Sequence, residues 1–235
     1  MKKELLIASA LVGFAACAAD TTVETSNTMC FVPVAQEMKS ATGMFLVTAP
    51  FADYDSGDIK VADVISTANL SNGDKLLIPT ATGDYDGYTL QDGTWTPDKK
   101  CTLTADGGIV VGEAYAASDA RIARGKAFWV KTSATQLNLF GNAVSAAVTV
   151  SVAGGDKLNW ALVGATLPTT EIAVASVPAG NKGDTLVLAN GTQYICNKNG
   201  AWVTYDNPST ATTDKIPAGV GFWIATTKGI SLTNL

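Results

Sequence analysis

Short apolar runs separated by turn residues recur along the chain, without the period of an amphipathic helix. Two runs have nearly the same form, in which an apolar residue and a glycine precede Phe-Trp and a β-branched residue: Ile122–Val130 and Ile216–Ile224. Glycine tolerates a positive φ, and aromatic and β-branched side chains suit a pleated, half-buried surface. Each stretch therefore predicts a turn that leads into a well-packed strand.

The two stretches belong to a longer internal match that covers most of the chain. The aligned segments, first copy before second, are 30–50 with 146–166, 72–78 with 182–188, 88–95 with 194–202, and 122–130 with 216–224. Each copy contains six or seven short strand-like runs, a pattern typical of sandwiches and barrels. We predict an all-β fold of two tandem homologous β-sandwich or barrel-like repeats, residues 28–141 and 145–235. Each repeat either has its own core or shares one with the other.

We expect function to lie where the two copies differ, because residues with a structural role should be common to both. The first copy has additional residues that predict an extra hairpin at about 101–112. It also carries the loops 52–58 and 83–87, which are rich in Asp, Gly and Tyr and have no counterpart in the second copy.

The amino terminus predicts a signal peptide over residues 1–18, followed by a lead segment at 19–27. Lys2 and Lys3 precede a 12-residue apolar run, which is too short to cross a bilayer. Small residues at Ala16 and Ala18 predict cleavage near Ala18 or Ala19. Acylation of Cys17, as in a lipoprotein, is the alternative. In either case we expect a secreted or cell-surface protein.

The charge balance argues against polyanionic partners. The full chain has a net charge of −5 and contains no basic run, so neither nucleic acid nor an anionic membrane surface is an expected partner. After the signal peptide, no apolar stretch is long enough to predict a transmembrane helix.

The residues that most enzymes require are missing. The chain has no histidine, which removes His-based acid–base catalysis, Ser-His-Asp and Cys-His nucleophiles and most zinc hydrolase sites. No phosphate-binding glycine loop or nucleophile elbow is present. A pair of carboxylates could still serve a glycosidase. We expect a non-enzymatic protein without catalytic residues or a resident cofactor.

Two loops carry candidate ligands. Asp53, Asp55 and Asp58 place oxygen ligands at the close spacing that calcium prefers, although Asp-Gly-Ser stretches are also ordinary turns. Tyr54, Tyr85 and Tyr115 have no counterparts in the second copy and could form an exposed platform for a glycan or small ligand. The alternative is that these tyrosines shield loop backbones.

Tryptophan and cysteine positions favour structural roles. Four tryptophans occupy matched positions, and the fifth, Trp160, aligns with Met44, so a core role is the simpler interpretation. Outside the signal peptide an odd number of cysteines remains, which cannot all pair within one chain: Cys30, Cys101 and Cys196. They are either partly disulfide-bonded or small buried residues.

With the repeat laid out, Leu158–Pro168 and Ile216–Ile224 carry a recognisable pattern. They resemble the W-N-L-V-G-x-P and I-x-P-G-x-G-F-W-V strands of poorly characterised tandem β modules in bacterial secreted and cell-surface proteins. The resemblance implies an exported β module and transfers no catalytic residue. We therefore expect a structural or interaction protein that self-associates or adheres to an extracellular polymer. The alternative is a glycan- or small-ligand-binding module that uses the first-copy loops.

Overall fold

Short antiparallel β-strands account for nearly all of the regular secondary structure in the residues that the structure describes, so the predicted all-β fold is confirmed. The computed structural model describes residues 29–35, 43–48, 51, 58–63, 65–80, 83–103, 109–116, 120–142, 148–165 and 171–233. For residues 29–35, 58, 59, 63, 103, 109 and 142 it describes the backbone alone.

The strands fall into a first half, up to residue 142, and a second half, from residue 148. The first half contains β1 (Met29–Ala35), β2 (Met44–Thr48), β3 (Asp58–Lys60), β4 (Lys75–Pro79), β5 (Tyr85–Gln91), β6 (Thr94–Pro97), β7 (Lys99–Leu103), β8 (Ile109–Tyr115), β9 (Arg121–Ala123), β10 (Ala127–Lys131) and β11 (Gln136–Asn142). The second half contains β12 (Thr149–Val152), β13 (Asn159–Val163), β14 (Glu171–Ala173), β15 (Thr185–Leu188), β16 (Gln193–Cys196), β17 (Trp202–Val203), β18 (Lys215–Pro217), β19 (Phe222–Thr226) and β20 (Ile230–Thr233). Within the described residues, three short 3₁₀ helices lie between strands: Val61–Asp63, Thr67–Asn69 and Val174–Ser176.

The two halves pair their strands in the same order. In the first half, β2-β10-β4-β5 form the body of a sheet that β6 joins beside β5 and that continues through β7 to β8. In the second half, β13-β19-β15-β16-β17 form the corresponding sheet, which ends at β17. Smaller pairs also correspond, since β1-β11 and β3-β9 have counterparts in β12-β20 and β14-β18. Duplication of the chain stays a hypothesis, which this shared order supports.

Local hydrogen bonds also agree at matched positions, as the Gly-Asp turns before β4 and β15 show. In the first half a carboxylate oxygen of Asp74 accepts from the backbone N–H of Ser71 at 2.9 Å. In the second half Asp184 accepts in the same way from the backbone N–H of Asn181 at 2.6 Å. Each turn thus satisfies a backbone donor with the aspartate three residues later, which is the side-chain chemistry that favours turns over helix or strand.

The halves meet through equivalent contacts. The backbone N–H of Thr48 donates to the carbonyl oxygen of Gly219 at 2.9 Å, and that of Gly164 donates to the carbonyl oxygen of Gly125 at 3.0 Å. Thr48 aligns with Gly164, and Gly125 aligns with Gly219. An approximate two-fold axis therefore relates the two bonds, and the contact has the form of an isologous dimer interface inside one chain.

Beside this axis, matched positions face each other, and one member of each pair is glycine. A Cβ atom placed on Gly164 would lie 2.4 Å from the Cβ of Thr48. A Cβ placed on Gly221 would lie 2.4 Å from the Cβ of Ala127, its matched residue. Two side chains do not fit at either place, so the halves must differ here to pack closely.

One continuous cluster of buried apolar side chains draws on both halves. Its large members include Tyr88 and Phe128 from the first half and Tyr194 and Phe222 from the second. The halves therefore share a core. The core interpretation of the tryptophans is confirmed for three of them: Trp95, Trp129 and Trp202.

Helices contribute little to the described part of the chain. Among the described residues, no helix is both long enough and apolar enough to cross a membrane.

Candidate functional site

A two-stranded hairpin extends the sheet of the first half beyond the part that the second half shares. It consists of β7 and β8, paired antiparallel with Cys101 opposite Val111 and Lys99 opposite Tyr115. A register irregularity lies between Lys99 and Cys101. This hairpin is found where the sequence predicts one, at about 101–112, and its strands reach a few residues further on both sides.

The outer strand of this hairpin, β8, is open to solvent on both faces. Val110, Val111 and Tyr115 are 55%, 61% and 69% exposed, and residues 112–114 between them are exposed as well. Within the described residues β7 is its sole strand partner. One edge of the β8 backbone is therefore available to a further strand. We call β8 with its free backbone edge the β8 edge.

Asp98 anchors the base of the hairpin to the sheet. One carboxylate oxygen accepts from the Lys75 ammonium at 2.7 Å and from the Thr89 hydroxyl at 3.0 Å. The other accepts from the backbone N–H of Lys99 at 2.8 Å. The Asp98 carbonyl oxygen accepts from the backbone N–H of Ala116 at 2.8 Å, which ties the end of β8 to the start of β7. The hydrogen bond from Lys75, followed by that from the Lys99 backbone, lowers the pKa of Asp98 below its usual value of 3.8.

Two other ends of the main sheets, at β2 and at β17, are covered. The outer edge of β2 bonds to the second half through Thr48 and through Leu46, whose carbonyl oxygen accepts from the backbone N–H of Gly221 at 3.0 Å. The last strand of the second sheet, β17, has two residues, and both are buried. Its Trp202 carbonyl oxygen accepts from the backbone N–H of Thr212, a residue of the following loop, at 2.9 Å. Of these three sheet ends, β8 is the open one.

The predicted tyrosine platform is divided between different environments. Tyr115 is exposed at the end of β8, whereas Tyr85 is 7% exposed and packs with Trp129, Leu77 and Cys101. Burial raises the pKa of Tyr85. Its ring therefore does not offer solvent a stacking face, and Tyr54 lies outside the described residues.

The predicted calcium ligands cannot be assembled from the part of the chain described here. Asp53 and Asp55 lie outside it, and Asp58 is described by its backbone in β3 alone. Among the residues whose side chains are described, no group of three or more His, Cys, Asp or Glu could hold a metal ion. The signal peptide and Cys17 also lie outside the described residues.

Two of the cysteines are buried and free. Cys101 lies in β7 and Cys196 in β16, and burial raises the pKa of both thiols, which keeps them protonated and unreactive at neutral pH. This agrees with the interpretation of small buried residues. Cys30 is described by its backbone in β1.

Sequence reasoning missed a second exposed apolar surface, on the second half. Trp160 is 47% exposed, so the prediction of a core role is wrong for this residue. Leu158, just before β13, is also exposed, and Trp223 in the neighbouring strand β19 is partly buried. The sequence match could not reveal this exposure, because it compares residue types and not what covers them.

The exposed valines of β8 were missed as well, although the sequence contained a signal. Val110 and Val111 form an apolar run in a segment that has no counterpart in the other copy. A strand added to a sheet in only one copy must lie at its end, where one edge stays unpaired.

No protein-family model, curated protein or solved structure matches the chain.

Proposed function

We propose that the protein is a non-enzymatic structural or interaction protein, exported to the extracellular space or the cell surface, that binds its partner through the β8 edge. The observation that carries this proposal is the long terminal strand with Val110, Val111 and Tyr115 exposed. An open, apolar strand edge is a template for strand addition, in which main-chain hydrogen bonds give affinity and side chains give specificity.

Two features of the hairpin support the proposal that the exposed β8 edge is a binding surface. Its base is fixed by the hydrogen bonds of Asp98, so that the edge is presented in a defined position. Its outer strand carries a single charged residue, Glu113, and natural sheets commonly protect exposed edges with several charges or a proline. The β8 edge lacks that protection.

The test is size-exclusion chromatography with light scattering on the mature protein over a wide concentration range, with and without reductant and calcium. We expect concentration-dependent oligomers that Val110→Lys and Val111→Lys abolish. Thr102→Lys, at an exposed site on the paired strand β7, is the matched control and should leave association unchanged. Association that survives both β8 substitutions would refute a role for this edge.

Export itself is tested by mass spectrometry of the purified protein. The proposal expects an unmodified amino terminus at Ala19 or Asp20. An acylated Cys17 would make the protein a lipoprotein, and retention of residues 1–18 would contradict export.

Glycan binding is a second candidate function, favoured by the exposed Trp160 beside Trp223. Flat aromatic side chains can stack on sugar rings, and these two lie on neighbouring strands of one sheet. Retention on polysaccharide affinity gels should then fall in Trp160→Ala and persist in Val110→Lys. Equal retention of Trp160→Ala and the parent protein would refute this candidate.

A further inference from the structure

We infer that the partner of the β8 edge is the β8 edge of a second copy, paired antiparallel about a two-fold axis at Gly112. This inference rests on the proposed function and names its partner. The seven-stranded sheet of one copy would continue directly into that of the other.

Strand length selects this register. β8 runs from Ile109 to Tyr115, and Gly112 is its middle residue. An antiparallel pair centred on Gly112 opposes all seven residues of both strands. A pair centred on Val111 leaves Ala114 and Tyr115 without partners, so fewer backbone donors and acceptors are satisfied.

Charge repulsion excludes an antiparallel pair centred on the next residue along the strand. A pair centred on Glu113 would place two carboxylates directly opposite each other, and like charges at such positions are destabilising. With the centre at Gly112, each Glu113 instead lies opposite Val111 of the other copy. The Glu113 carboxylate also keeps its ion pair with Lys99 of the same hairpin, 3.2 Å away, because that pair lies on the β7 side.

The side chains on the strand are compatible with close approach. On the face that carries residues 110, 112 and 114, Val110 would lie opposite Ala114 of the second copy and Gly112 opposite Gly112, so no two large side chains meet there. Because residues 110–115 are exposed on both faces, pairing would cover apolar surface above and below the sheet. The surface that is buried at this edge is then shared equally by the two copies, as a closed isologous dimer requires.

The register predicts which cysteine substitutions can cross-link. Val110→Cys on one copy and Ala114→Cys on the other would stand directly opposite, with Cβ atoms about 4.5–5.5 Å apart. Two copies of Val110→Cys would be offset by four residues, roughly 13 Å. Val111→Cys with Glu113→Cys forms a second opposite pair. Opposite pairs alternate between two hydrogen-bonding types along a strand, so the two mixtures sample both geometries.

The experiment is mild oxidation of each single-cysteine variant alone and of the two mixtures, after mixing under reducing conditions, with the parent protein as background. We expect covalent dimer in at least one mixture and background levels for every variant alone. Cross-linking of Val110→Cys with itself would overturn the register.

Failure of this inference can be told apart from failure of the proposed function. Oligomers that Val110→Lys abolishes, together with background cross-linking in both mixtures, would overturn the paired register and leave the role of the β8 edge standing. Oligomers that are insensitive to Val110→Lys would overturn both. A monomer at every concentration would overturn a second copy as partner, and would leave the β8 edge to be tested against extracellular polymers.

Discussion

The two halves of the chain have the same strand order but differ in which surfaces of their sheets are buried. Matched strands pair in the same order, and the Gly-Asp turns form the same hydrogen bonds. Yet Met44 is 5% exposed, whereas its matched residue Trp160 is 47% exposed. The first half ends its sheet with a long open strand, and the second half ends with a short buried one. The two halves therefore agree in backbone hydrogen bonding and differ in which of their surfaces are exposed.

The contact between the halves shows why matched residues cannot stay identical. Near an approximate two-fold axis each position faces its own counterpart, so a side chain on one half requires a small residue on the other. Thr48 faces Gly164, and Ala127 faces Gly221. The asymmetry of the sequence at these places is thus a packing requirement of the near-symmetric fold.

The largest expected contrast is between Met44 and Trp160. Met44→Ala should lower the free energy of unfolding by about 2–5 kcal/mol, because it empties a buried site. Trp160→Ala should lower it less, since Trp160 is already 47% exposed. Chemical denaturation of the two variants measures both values. Equal losses would show that the two surfaces are equally covered.

The contact between Gly221 and Ala127 can be tested by exchanging the two residue types between the halves. Gly221→Ala should reduce the free energy of unfolding by about 1–3 kcal/mol through overpacking against Ala127. Adding Ala127→Gly moves the methyl group to the other half and should restore part of that loss, so the two changes are not additive. Gly155→Ala, which meets no atom closer than 3.5 Å, is the control. Strictly additive effects in the double-mutant cycle would contradict direct contact.

A smaller contrast concerns the matched tryptophans Trp95 and Trp202. The indole N–H of Trp202 donates to the carbonyl oxygen of Val177 at 2.7 Å, whereas that of Trp95 is buried with no partner among the described residues. Trp202→Phe should therefore reduce stability by about 1–3 kcal/mol more than Trp95→Phe, because it leaves a carbonyl without its donor. Thermal or chemical unfolding of both variants measures the difference. A larger loss for Trp95→Phe would contradict this assignment.

The smallest expected effect is at Lys126, which pairs with Val163 across the interface and aligns with Val220. Burial lowers the pKa of Lys126 below its usual value of 10.5. Between the lowered value and 10.5 the unfolded chain binds more protons, so the stability contributed at this site rises with pH. Lys126→Val should raise the free energy of unfolding at pH 7 by about 0.5 kcal/mol.

The pH dependence of that difference distinguishes desolvation from a general gain in packing. The advantage of Lys126→Val over the parent protein should shrink as pH rises towards 10.5, because Lys126 of the parent protein then loses its charge in the folded state before it does so in the unfolded chain. Denaturation curves for both proteins at pH 7 and 10 provide the comparison. An advantage that is constant across this range would exclude the buried charge as its cause.

Much of the fold followed from local residue patterns. The Gly-Asp turns and the two Phe-Trp strands could be located because turn and strand preferences depend on neighbouring residues. The hairpin of β7 and β8 could be located as well, since its apolar run lies between turn residues. The candidate site was only partly accessible. Of the tyrosines proposed for a ligand platform, Tyr115 is exposed and Tyr85 is buried.

The all-β class and the positions of many turns and strands could thus be inferred from the sequence alone, which also suggested the match between the halves. These properties follow from side-chain shape and backbone preference within a few residues. The shared core of the halves, the exposure of Trp160 where Met44 is buried, and the open edge of β8 could be seen only once the chain was folded. Burial and edge pairing depend on segments far apart in the chain, and no local pattern specifies which of them will meet.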